Sequence, residues 1–239
     1  MSYKKIPRMT AFMRINHWVI AICMVVAVVT GLYIAHPYYQ SFIAEDSAYT
    51  FVMAWNRYLH FIAAIIFDVS SIVIAYLYFF SRFEKPYKKL IPNMTNIKEF
   101  WEVLKNLITL NRVKKFDSSH CDSFNAVFFF VFHLMLVWML LTGLQLYVHG
   151  LASGDSSIGR WWPAMLHLFT DWTVWATGGT YMDVRISHHV TMYMIIVWVM
   201  FHIYYQVWRT IFWQEGDINI VFGGSKYVKD KDDKKEEKK

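Results

Sequence analysis

Four stretches of the chain are strongly apolar and break off at clusters of polar residues: Ile15–Ala35, Phe61–Phe80, Ala126–Val148 and Val190–Phe212. A helix rises 1.5 Å per residue, so about 20 such residues cross the ~30 Å hydrocarbon core of a bilayer. The pattern predicts four transmembrane helices, over 14–35, 55–80, 123–148 and 184–213. Two further segments have a different rhythm. Ile97, Phe100, Trp101, Leu104 and Ile108 recur at helical spacing behind Asn96 and Glu99, a capping pair. They predict an amphipathic helix lying along the membrane surface. Residues 158–177 are rich in tryptophan but contain Arg160, Pro163, His167 and Asp171, so they are expected at the interface and not as a fifth span. From residue 229 to 239 nearly every position is charged, which predicts a disordered tail after a four-helix membrane domain over 1–228.

Composition agrees with an all-α integral membrane bundle: 56% of the residues are hydrophobic and 19% aromatic. Charge then orients it. Residues 1–14 hold four Lys and Arg, 81–122 hold nine and the segment from Arg209 onward holds eight, whereas the two remaining connections hold only Arg57, Arg160 and Arg185. The asymmetry predicts both termini in the cytoplasm. It also accounts for the net charge of +6 without nucleic-acid binding. The first apolar run is long for a signal peptide and lacks a small-residue cleavage site, so it is expected to stay. Cys23 and Cys121 belong to no C-x-x-C-H, which argues against covalent haem, and two cysteines cannot hold a four-cysteine cluster.

Ionisable groups at membrane depth are costly and point to function. With both termini inside, His17 lies in the inner part of the first span and His60 in the outer part of the second. On the inward-running fourth span His188 lies outside and His202 about 21 Å deeper. Fourteen residues is close to four helical turns, so His188 and His202 share a face, whereas His189 is rotated about 100° from His188. Two levels result, His60 with His188 and His17 with His202. His189 stays open as the alternative outer ligand. Such pairs suit haem b with two axial imidazoles, and zinc would need its ligands gathered at one point. Thr30-Gly31 and Thr142-Gly143 sit near the outer ends of the first and third spans, where a missing side chain lets a porphyrin or another helix approach.

Arg14-Ile15-Asn16-His17-Trp18 with Thr30-Gly31, Arg57-Tyr58-Leu59-His60-Phe61, His188-His189 and Phe201-His202-Ile203-Tyr204 together resemble the four-helix cytochrome b subunits of membrane-bound nickel–iron hydrogenases. Formate dehydrogenase gamma subunits share much of this pattern. The double histidine, Arg209 with Ile211, and Gly223-Gly224-Ser225-Lys226-Tyr227 tilt the likeness towards the hydrogenase branch. The resemblance implies a multi-pass protein of the bacterial inner membrane with two b haems on the four histidines. It implies hydrogenase partners, an iron–sulfur small subunit and a nickel–iron large subunit, and a quinone acceptor, menaquinone. This chain itself has no nickel-ligating cysteines and no site for splitting hydrogen. Phe124-Asn125-Ala126 matches the branch motif whose Asn lies near the quinone, which makes Asn125 a candidate; Tyr205 and Arg209 are candidates by position. The alternatives are a formate dehydrogenase or related molybdoenzyme as partner, and a haem-free anchor or transporter bundle.

Other polar residues carry less. His133 is expected to be a hydrogen-bonded packing residue. His36, His149 and His167 read as polar residues of the outer surface, with an outer quinone pocket at His167 or His189 as the rival reading. His120 reads as a solvated cytoplasmic residue. Asp68, near mid-membrane, belongs either to a proton route or to a hydrogen bond between helices.

Overall fold

The computed structural model describes residues 3–37, 52–80, 94–109, 123–150, 161–213 and 217–229. Four helices in it are long and apolar enough to cross a membrane: α1 (Ala11–Ala35), α2 (Val52–Phe80), α4 (Ser123–Gly150) and α7 (Tyr181–Phe212). They coincide with the four predicted spans. α1, α2 and α7 each begin three residues earlier than expected, and local chemistry explains two of these starts. The Thr10 hydroxyl accepts from the Met13 N–H and caps α1. Thr180 and Asp183 form a reciprocal capping box at the start of α7: the Thr180 hydroxyl donates to Asp183 Oδ2 at 2.6 Å and accepts from the Asp183 N–H at 3.2 Å. α3 (Met94–Ile108) is the amphipathic helix of the third connection. It starts two residues before Asn96, which therefore lies in its first turn and not at its cap. The tryptophan-rich segment folds as α5 (Trp161–Thr170) and α6 (Trp172–Thr177), ten and six residues long and too short to span.

The chain divides into two units. The first comprises residues 1–87 and 207–239. In it α1 packs along α2, and the Asn16 amide donates to the Ser70 carbonyl at 3.0 Å. It also contains elements that the apolar pattern does not predict. β1 (Tyr3–Pro7) pairs antiparallel with β2 (Ser225–Lys229), in a register that sets Tyr3 opposite Lys229 and Pro7 opposite Ser225. Lys229, the first residue of the expected disordered tail, is therefore the end of a strand; residues 230–239 lie outside the described residues. A short helix α8 (Asn219–Gly223) leads into β2, and Gly224 ends it in the left-handed region at φ 77°. The Gly224 carbonyl accepts from the N–H groups of Arg8 and Met9, and Trp18 of α1 donates to the Val221 carbonyl. The two chain ends are thus tied to each other and to the start of α1.

The second unit comprises residues 88–206. Here α3 packs on α4 and buries Val103 and Asn106, leaving Trp101 and Ile108 turned outward. α5 and α6 also pack on α4. Between α4 and α7 an aromatic ladder forms the core: Trp198 stacks on Phe128 and Phe132 at 4.3 and 3.8 Å between ring centroids, and its indole N–H donates to the Phe128 carbonyl.

Candidate functional site

In the first unit the His60 imidazole of α2 meets α1 at Thr30. His60 Nδ1 lies 3.0 Å from the Thr30 hydroxyl and 3.0 Å from the Ala27 carbonyl oxygen. The Thr30 proton is committed to the Val26 carbonyl of its own helix at 2.7 Å. Both neighbours of Nδ1 therefore act as acceptors, and the ring proton must sit on Nδ1. Nε2 is left as the basic nitrogen. His17, on α1, is half-buried and edge-on to Trp18. Its Nδ1 is buried and makes no hydrogen bond among the described residues.

The second unit repeats the first arrangement with different helices. His188 Nδ1 of α7 lies 3.0 Å from the Thr142 hydroxyl of α4, and Thr142 donates its proton to the Trp138 carbonyl at 2.8 Å. With the Thr142 proton on that carbonyl, the hydroxyl oxygen accepts from Nδ1 and the lone pair lies on Nε2. Gly143 makes room for this ring: a Cβ there would come within 3.3 Å of His188 Cε1. His189 faces elsewhere, edge-on to Tyr193, with its Nε2 buried and unbonded among the described residues. His202 closes the aromatic ladder, stacked on Trp198 at 5.4 Å with 9° between the planes.

At the chain-end side of the first unit, three charges far apart in sequence are buried together. Arg209 Nε lies 3.0 Å from one Asp217 oxygen and Lys226 Nζ lies 3.2 Å from the other. All three side chains are at most 3% exposed. Burial, reinforced by the neighbouring Arg209 and Arg8 charges and offset by Asp217, lowers the Lys226 pKa to about 8. Reading the sequence picked out Arg209 and Lys226 separately and missed Asp217, the carboxylate that joins them.

A model of the prokaryotic cytochrome b561 family matches residues 8–224. The chain belongs to this family. It is 26% identical over 224 residues to a probable Ni/Fe-hydrogenase B-type cytochrome subunit of Cupriavidus necator, covering 91% of this chain and 85% of that one. Its likeness to the corresponding protein of Rhizobium leguminosarum bv. viciae is 29% over 225 residues, covering 92% and 88%. With a probable Ni/Fe-hydrogenase 1 B-type cytochrome subunit of Escherichia coli strain K12 it shares 27% over 213 residues, covering 88% and 86%. Membership and the four apolar helices make the chain a multi-pass cytochrome b of the inner membrane.

The residues of this cytochrome suit haem b. An axial imidazole needs one basic nitrogen and a fixed ring, and a ligating histidine ordinarily donates its other N–H to an oxygen. His60 and His188 meet that description by their hydrogen bonds. The buried Nδ1 of His17 makes no such bond among the described residues, so the fixed-ring criterion is met at His60 and His188 and not at His17. The remaining sequence candidates divide. Tyr205 and Arg209 are buried, at 0% and 2% exposed, and Arg209 is committed to Asp217. Asn125 lies in the first turn of α4, and its side chain is outside the described residues. His133 Nδ1 donates to the Phe129 carbonyl of its own helix at 2.6 Å. His167 pairs with Asp171 at 2.8 Å, and Gln145 donates to the same carboxylate oxygen. His149 stacks on Tyr181, His36 caps α1 through its backbone N–H, and Asp68 is half-buried on α2. His120 and Cys121 lie outside the described residues.

Proposed function

We propose that this cytochrome anchors a periplasmic nickel–iron hydrogenase and relays the electrons of hydrogen oxidation to menaquinone. His60 and His188 hold one haem b near the outer surface, and His17 and His202 hold a second deeper in the membrane. The observation that carries the reading is the repeated threonine–histidine pair, Thr30 with His60 and Thr142 with His188. It leaves Nε2 as the nitrogen suited to ligation on two different helices, at the depth this reading gives to one haem. The separation of His188 and His202 on one face of α7, about 21 Å, supports two levels. The names of the relatives support the hydrogenase partner. The excess of Lys and Arg in the terminal segments and the 81–122 connection supports cytoplasmic termini, and the β1–β2 pair keeps the two ends side by side.

When bound, a haem held by these histidines would supply one-electron chemistry. The chain's own residues do the rest. Thr30, Ala27 and Thr142 hold the two outer rings in one tautomer. The apolar spans exclude water from the path. Asn125, at the foot of α4, is the first candidate for contact with the quinone by its motif, and Tyr205 and Arg209 are further candidates by position. Each electron that moves fully inward against 100 mV, negative inside, stores ~2.3 kcal/mol. Drawing the quinone's protons from the cytoplasm makes that separation useful.

The test is a haem count with low-temperature electron paramagnetic resonance on the purified complex. Two low-spin bis-imidazole signals are expected. His60→Ala and His188→Ala should remove the same signal, His17→Ala and His202→Ala the other, and His189→Ala neither. Loss of a haem in His189→Ala with both kept in His188→Ala would overturn the outer assignment. Molybdenum in place of nickel in the co-purified partner would overturn the partner.

A further inference from the structure

Thr30 and Thr142 occupy equivalent places in the two units. Each lies on a helix and returns its hydroxyl proton to the carbonyl four residues earlier, Val26 in one case and Trp138 in the other. Each is followed by a glycine, Gly31 or Gly143. Each meets the Nδ1 of a histidine on a different helix at 3.0 Å. Packing alone does not require this. A valine would fill the same volume, and an intrahelical threonine bond slightly disfavours the helix. What the hydroxyl adds is direction. With its proton already donated along the helix, its oxygen can only accept from the ring.

We propose that Thr30 and Thr142 are positioning residues that tune the outer haem by accepting the Nδ1 protons of its two axial histidines. This rests on the reading of His60 and His188 as its ligands. An accepted Nδ1–H fixes the ring orientation and raises the basicity of Nε2. A more basic ligand favours the oxidised iron, so the bond holds the outer potential down. Gly143 belongs to the device because it lets the His188 ring come close enough to Thr142 for the bond to form.

The experiment uses the intact membrane complex carrying Thr30→Val, Thr142→Val or both, with Thr→Ser at each site as the conservative control. The readouts are haem content, redox titration of each haem and the resonance spectrum. The valine variants should keep the inner signal unchanged, raise the midpoint potential of the outer haem and alter its g values. The serine variants should restore both. Where a valine variant assembles without the outer haem, in line with the 10–100-fold affinity losses typical of such partners, the serine variant should retain it. An outer potential and spectrum unmoved by the double valine variant would overturn the proposal, as would serine variants that behave like valine. Thr142→Cys, similar in size with a weakly accepting sulfur, gives the same reading if the valine protein does not assemble. The ligand assignment fails separately: His60→Ala and His188→Ala would then keep both haems.

Discussion

Thr30 holds His60, and Thr142 holds His188, by a neutral hydrogen bond between spans, whereas Arg209, Asp217 and Lys226 near the chain ends are held by charge. Both regions bury polar atoms, but the costs differ. A neutral bond of this kind contributes about 0.5–1.5 kcal/mol net, so its value lies in where it points the ring. Three buried charges lose several kcal/mol of hydration each and recover it only while all partners are present. The comparison separates two tasks within one fold: the threonine–histidine pairs fix the direction of two imidazole rings, and the charged cluster fastens the ends of the chain. Substitutions should therefore divide into those that move spectra and those that move stability.

The largest effect is expected for Asp217→Ala. It removes the carboxylate shared by Arg209 and Lys226 and leaves two like charges facing one another in a buried site. Breaking such a pair costs about 3–5 kcal/mol. The thermal midpoint of the purified complex should fall sharply, while the fraction that assembles keeps its haem spectrum. Unchanged stability would break the comparison.

Gly224→Ala comes next. Gly224 sits at φ 77°, and a Cβ there would lie 2.5 Å from the Met9 carbonyl oxygen and also against the Arg14 guanidinium. Left-handed backbone in a residue with a side chain costs about 1–3 kcal/mol, before the Met9 clash is relieved. The variant should lose stability by less than Asp217→Ala and expose the 1–10 segment to proteolysis first. The haem spectrum should again stay put.

The four spans were legible because hydropathy is local, and along each of them a helix converts residue number into distance. The same logic placed α5 and α6 outside the set of spans, since Arg160, Pro163, His167 and Asp171 interrupt the apolar run. Relations between distant residues were not legible. β1 and β2 are five residues each, carry basic side chains and find each other across nearly the whole chain. Nothing in either segment alone announces a strand. Asp217 is one acid among many, and only folding sets it between Arg209 and Lys226. Thr30 and Thr142 stood out only as neighbours of glycine. The repeat of Thr-Gly on two spans was the available signal, and its meaning depended on which histidine faced each hydroxyl.

The smallest effect concerns pH. The Lys226 pKa is lowered to about 8 from its ordinary 10.5, through burial first and the nearby Arg209 and Arg8 charges next. Below pH 8 the lysine is charged in both folded and unfolded chains, and the cost of burying it is present in full. Between about pH 8 and 10.5 the folded protein has released that proton while the unfolded chain still holds it. Stability contributed by this group therefore rises with pH across that window. Lys226→Met removes the titration and should flatten the rise, as read from thermal midpoints of the complex between pH 7.5 and 10 relative to the parent. A fall with pH in the parent, or an equal slope in the variant, would mean that the charged lysine is favoured where it lies. Asp217 would then outweigh both the burial and the arginines, and the cluster would be a net source of stability and not merely a fastening that tolerates its own charge.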